Sequence, residues 1–331
     1  MLTHARAGRV VAMLGLAGAL FSALPALAQT TLNLSDVLPE TNFMVQNAAH
    51  FAQEVSAATD GQVTISIKAG GSLGFKGPDQ LTAVRDGLVD MADINISQQV
   101  GVNPLFGVEG VPFLVSSMDE LKKYHEFVRP AFVKIAEENN QKLLYMVPSP
   151  AQYVYLKVPV DSIDDFSGIP VRGADKNTVD VVSAIGMAGV AMPWGELIPA
   201  LASGRVEGVA TSATSGVDGK FWEFMKYIYP TNHTWGSNMV TINLDSWNRL
   251  SADQQAAIEE VASRLEPEFW EVSRQGDIDS IKIMQENGME LATISDELRT
   301  QMVERAQQLQ ADFVARVPDA GPIVDQYKAT Q

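Results

Sequence analysis

Residues 166–211 read FSGIPVRGADKNTVDVVSAIGMAGVAMPWGELIPALASGRVEGVAT. A loop delivers a short apolar strand, 169–171, that ends on a single cation, Arg172. The spacing predicts a helix over 178–185, stopped by Gly186, the residue type helices favour just past their ends. A second short strand, 189–192, leads to Pro193 and Trp194. Another helix ends at Gly204, and a third strand begins near Val206. Alternation of strand and helix predicts an α/β fold with a parallel, helix-covered sheet. Ligands of such sheets sit beyond the carboxyl ends of the strands. Arg172, Trp194 and Thr211 fall there and are expected to line a crevice.

Outward from this stretch, the sequence echoes itself. Residues 83–91 read AVRDGLVDM and residues 200–208 read ALASGRVEG. Each has a helix ending in Gly, one further residue, then Val, an acid and a strand, which predicts two similar lobes. Between the echoes, 117–140 reads as a long helix with Ser117 or Ser116 as N-cap and Glu120 placed for a capping box. Strands 142–147 and 152–157 flank Pro148-Ser149-Pro150, a crossing between lobes. Strand 239–244 is expected to return to the first lobe. From 251 to 287 the helical pattern meets no breaker except Pro267. A helix of that length spans roughly 50 Å, longer than one lobe, and should brace both. Residues 295–317 predict a last amphipathic helix. The expected division is lobe 1 from 29–149 and 238–277, and lobe 2 from 150–237 and 278–331.

Composition sets the bounds. The chain has 331 residues, 46% hydrophobic, which suits a two-domain globular protein. Arg6 and Arg9 precede the apolar run 10–24, and Ala26-Leu27-Ala28 follows it, so 1–28 reads as a cleaved signal peptide. There is no cysteine, hence no disulfide framework, no thiolate metal site and no lipid-bearing cysteine after the signal. The formal charge is −16, and loss of Arg6 and Arg9 takes it to −18. Such a balance argues against nucleic acid and anionic membranes as partners.

No HExxH, GxSxG or GxGxxG occurs, and the Gly70–Gly74 turn lacks the Lys of a phosphate loop. No metal or cofactor is therefore expected. Arg172 stands out because a guanidinium meets a carboxylate with two parallel hydrogen bonds; the alternative is a surface pair with Asp164 or Asp165. Trp194 either walls a pocket or starts a helix in the core. The hydroxyls of Thr211 and Ser212 either donate to a ligand or cap a turn. His233 and Trp235, just before the return strand, are placed to close the crevice.

These pieces in this order resemble the periplasmic solute-binding component of tripartite ATP-independent periplasmic (TRAP) transporters, the dicarboxylate-binding-protein type. The resemblance covers the mature chain, through GGSLG, AVRDGLVDMADI, VPFL, DDFSGIPVR, MPWGEL, ALASGRVEGV and the long penultimate helix. Its most specific element is Phe166-x-Gly168-x-x-x-Arg172. The resemblance implies two α/β lobes that close on a ligand, with Arg172 on its carboxylate. It also implies contacts from Gln152, Trp194, Thr211 and Ser212, and a membrane permease as partner. Gln152 is uncharged where sialic-acid binders carry a second arginine, so a monocarboxylate with an apolar or aromatic body fits better than a dianion. The expected function is capture of a small organic acid by a periplasmic monomer. The rivals are a secreted enzyme acting on a small acid and a sensory binding protein with the same pocket.

Overall fold

The computed structural model describes residues 29–330 and the first two; the signal peptide expected over 1–28 otherwise lies outside the described residues. The chain opens with β1 (Thr30–Ser35), α1 (Phe43–Ala58), β2 (Val63–Lys68), α2 (Gln80–Arg85), β3 (Met91–Asn95), α3 (Met118–Glu138) and β4 (Gln141–Pro148). It continues through β5 (Gln152–Leu156), β6 (Pro170–Gly173), α4 (Lys176–Ala184), β7 (Ala188–Ala191), α5 (Trp194–Ser203), β8 (Gly208–Ser212), α6 (Ala213–Asp218) and β9 (Tyr227–Tyr229). Then come β10 (Ser237–Asn243), α7 (Leu244–Asn248), α8 (Ala252–Glu286), β11 (Glu290–Leu291), α9 (Asp296–Arg316) and α10 (Ala320–Lys328).

The strands form two sheets, ordered β2-β1-β3-β10-β4 and β11-β9-β5-β8-β6-β7. In the first, β1 runs parallel to β2 and β3, while β10 runs antiparallel to β3 and β4. In the second, β6 runs parallel to β7 and β8, while β5 runs antiparallel to β8 and β9. The two sheets share one plan, and the echoed sequences occupy matching places in it, α2–β3 and α5–β8. The strands of 166–211 run parallel as expected, and β5 and β9, from outside that stretch, make the sheet as a whole mixed. The reason is direction: β3 and β8 end at the cleft between the sheets. β10 and β5 enter from that cleft, so each must run the other way.

Local chemistry fixes the elements. Gly186 and Gly204, at φ +110° and +73°, take left-handed backbone where any side chain is strained, and they stop α4 and α5 as expected. α4 starts earlier than the spacing suggests because Asp175 accepts the Thr178 N–H and caps it. Ser251 and Gln254 bond reciprocally at the start of α8, which continues unbroken through Pro267.

Core packing assigns the helices. Phe51 and Val55 of α1 pack with Ile258, Leu265 and Phe269 of α8 on one face of the first sheet. Met284, near the other end of α8, packs instead with Leu197, Leu201 and Val209 of the second. Between these ends α8 is tied to the crossing. Trp270 Nε1 donates to the Met146 carbonyl at 3.0 Å, Ser273 Oγ to that of Pro148 at 2.7 Å, and Tyr153 donates its hydroxyl to Asp277 at 2.9 Å. The carboxyl end of the chain departs from the expected division. A further helix, α10, follows α9, and its Tyr327 ring lies 4.7 Å from Tyr124 of α3. Phe313, Val317, Ala320 and Val324 join that same cluster, so the last residues return to the first sheet. An apolar stripe continuing past Pro318 draws them there.

Candidate functional site

The carboxyl ends of β3 and β8 meet the amino ends of β10 and β5 across the cleft. The register makes the two sides equivalent: Asn95 lies opposite Asn238, and Ser212 opposite Gln152. All four residues line one cavity with a free volume of ≈ 100 Å³. That is well below the roughly 300–1,000 Å³ of pockets for drug-sized ligands.

Arg172 is the most unusual group in its wall. It is 2% exposed, one of the largest side chains so deeply buried. Val171 and Arg172 pair with Gly208 and Val209 of β8, which places the side chain at the strand end. Its Nε donates to the Met192 carbonyl at 2.9 Å, fixing the plane of the fork. Among the described residues no carboxylate forms an ion pair with it, and the alternative partners expected from sequence lie elsewhere. Asp165 accepts bonds from Ser162, and Asp164 faces Arg305. Burial pulls the guanidinium down to about 10, opposed by the charge of Asp175, and it stays protonated at neutral pH. A buried cation with two unspent nitrogens requires an anionic partner, because an uncompensated charge in such a place is costly.

The structure gathers six of the seven residues singled out in the sequence. Arg172, Gln152, Trp194, Thr211, Ser212 and Trp235 all line the cavity. Gln152 turns its amide to the Pro150 carbonyl at 3.0 Å. Trp194 begins α5 and leans on Phe221, with ring centroids 6.4 Å apart. Ser212 caps α6 and lies 3.1 Å from the Thr214 hydroxyl, so its capping and lining roles coexist. Trp235 spends its indole N–H on the Val115 carbonyl at 2.9 Å, leaving ring surface for the cavity.

His233 is the exception. It is fully buried outside the cavity wall, its Nδ1 2.7 Å from the Thr231 hydroxyl, and burial lowers it to about 4. The cavity takes Thr234, Trp235 and Gly236 from this segment, whereas His233, just before them, turns to Thr231.

Sequence reasoning missed the first sheet's share: Asn42, Phe43, Asn95, Ser97, Asn238 and, from the second, Asp175. A signal for Asn95 existed. Extending the echo by four residues aligns it with Ser212. Asn42 is the N-cap of α1, accepting the Met44 N–H at 2.9 Å.

The cleft is shut around the cavity by polar contacts between the two sides. Ser97 Oγ donates to Asp175 Oδ2 at 2.7 Å, and Lys76 Nζ reaches Glu196 at 3.2 Å. Thr41 Oγ1 and Asn42 Nδ2 both donate to Asp218, the former at 3.4 Å. Desolvation raises the Asp218 carboxyl, opposed by these bonds.

With this geometry in place, likeness to known proteins becomes informative. The structure matches that of DctP7, a Bordetella pertussis extracytoplasmic solute receptor binding pyroglutamic acid, with a TM-score of 0.87 and 26% identity. The match covers 90% of this chain and 99% of that one. A marine-metagenome TRAP solute-binding protein specific for pyroglutamate, 28% identical, superposes with a TM-score of 0.86 over 91% and 99% of the two chains. The ectoine/5-hydroxyectoine-binding periplasmic protein of Ruegeria pomeroyi is 25% identical over 290 residues, 85% of each chain. The sequence profile described as bacterial extracellular solute-binding protein, family 7, matches residues 34–316. That match spans most of the chain, and the chain belongs to this family of bacterial extracellular solute-binding proteins.

Proposed function

We propose that this protein captures a small organic monocarboxylate in the periplasm, as a monomer, and delivers it to the membrane subunits of a TRAP transporter. The carrying observation is Arg172: a buried, charged fork, held at Nε, facing the cavity between the sheets without an acidic partner. The ligand carboxylate takes both Nη groups. Gln152, Thr211, Ser212 and Asn238 supply polar contacts, and Trp194 and Trp235 wall the body of the ligand. A compact ring acid of the pyroglutamate class suits the small cavity better than an extended or bulky aromatic acid. Two pyroglutamate receptors of similar structure support the same class.

No bond is made or broken. The two lobes move as units about the β4–β5 and β9–β10 crossings. Ligand held between them shifts the population toward the closed form, which the permease recognises. Titration calorimetry against pyroglutamate, ectoine, sugar acids, keto acids and sulfonates tests the reading. We expect micromolar or tighter binding of a monocarboxylate and a loss of at least about a hundredfold in Arg172→Ala, since a charged, desolvated hydrogen-bonded pair is removed. Undiminished binding in that variant would sink the proposal.

A further inference from the structure

The cavity wall carries a second charged group that the capture of a carboxylate does not need. Among the described lining residues, Arg172 and Asp175 are the charged ones; the rest are neutral. Asp175 stands three residues after Arg172, at the N-cap of α4. Its Oδ1 accepts the Thr178 N–H at 2.9 Å. Its Oδ2 accepts the Thr178 hydroxyl at 3.2 Å and the Ser97 hydroxyl at 2.7 Å. Every bond it makes is accepted, the behaviour of a carboxylate. It forms no ion pair with Arg172, yet its charge lies close enough to offset part of the burial cost of the guanidinium. Ser97 comes from the opposite side of the cleft, so shutting the cleft fixes where this negative charge sits.

We infer that Asp175 sets the charge of the ligand, admitting monoanions to the Arg172 fork and turning dianions away. A monocarboxylate neutralises Arg172, and its uncharged body then meets, Asp175 apart, only neutral groups. A dicarboxylate brings a second anion into the same small space, where no second cation waits and Asp175 already faces inward. At the effective dielectric of a partly buried site, a carboxylate held about 6 Å from Asp175 loses about a hundredfold in affinity. Gln152, an amide, does nothing to relieve this. The inference rests on the monocarboxylate reading above and deepens it: the site's selectivity is by charge as well as by shape.

The test compares acids paired by shape and differing by one charge: glutaramate with glutarate, and gulonate with glucarate. Dissociation constants are measured by calorimetry at one pH and ionic strength for wild type, Asp175→Asn and Asp175→Ser. Both replacements remain good helix N-caps, so α4 keeps its start while the charge is removed. The dianion-to-monoanion ratio cancels any change common to both ligands, such as easier opening of the cleft. We expect that ratio to fall by about tenfold or more in both variants. If Asp175 served structure alone, either replacement would weaken both acids together and leave the ratio unchanged. An unchanged ratio overturns the inference, as does a wild type that takes the dianion as tightly as its partner. In that last case acid capture by Arg172 survives, because it is judged separately by Arg172→Ala. A wild type that binds no acid of either charge overturns both readings.

Discussion

Arg172 is held by one nitrogen and offers two. That division is why lysine is a poor substitute at this position. An ammonium keeps the charge but loses both the planar fork and the bond to the Met192 carbonyl. Arg172→Lys should therefore bind a monocarboxylate about ten- to a hundredfold more weakly than wild type, yet more tightly than Arg172→Ala, as measured by calorimetry. Equal affinity of the lysine and arginine forms would show that the charge alone suffices. The arginine was legible in the sequence because it follows an apolar strand at a strand's end. Asp175, three residues later, was not. An aspartate before a helix is usually explained by capping alone, and nothing in the sequence reveals that its other oxygen reaches across to Ser97.

At the scale of elements, the short turn into α1 and the end of α6 form a latch beside the cavity. Asn42 has three roles: its Oδ1 caps α1, its Nδ2 donates to Asp218, and its side chain lines the cavity. Asp218 itself does not line the cavity. Replacing it with alanine should leave the ligand's direct contacts in place while weakening the closed form, which holds the ligand in. We expect the dissociation rate to rise several-fold, with a smaller change in the association rate, in stopped-flow measurements. An unaltered dissociation rate would remove the latch from the account. The matching α2–β3 and α5–β8 units were visible in the sequence as an echo, because helix stop, turn and strand impose the same residue types twice. The antiparallel insertions were not visible, since strand direction depends on where a segment enters the sheet, and its sequence carries no mark of that. The return of α10 to α3 escaped for a related reason: an apolar stripe says that a face is buried, and leaves its partner unnamed.

At the scale of the molecule, buried titratable groups of opposite tendency set the response to pH. His233 is lowered from 6.5 to about 4 by burial. Between those values the unfolded chain binds the proton and the folded one does not. Its contribution is therefore full above pH 6.5 and is lost as pH falls toward 4, by at most about 3 kcal/mol. Asp277 and Asp93 are raised from 3.8 to about 6 and about 7 by desolvation. They hold protons that the unfolded chain releases, so their contribution is full below 3.8 and is lost as pH rises through 6 to 7. The opposed slopes flatten the wild-type profile in mildly acidic solution. In His233→Gln the carboxyl slope stands alone, and urea midpoints should fall steadily from pH 4 to pH 7. A variant as flat as wild type over that range would contradict the assignment.

The exchange of strands between sheets also bears on how the chain is made. A chain delivered from its N-terminus exposes β3 and β4 long before β10 arrives to lie between them. The gap in the first sheet spans 142 residues of synthesis from the end of β3 at Asn95 to Ser237 (237 − 95), and 89 from the end of β4 at Pro148 (237 − 148). Through that interval β4 has no strand to pair with, and one edge of β3 lies open, a template for pairing with another nascent chain. The architecture that lets two lobes share a ligand thus makes folding wait for the last third of the sequence, and it places the greatest hazard of aggregation before the receptor has any pocket at all.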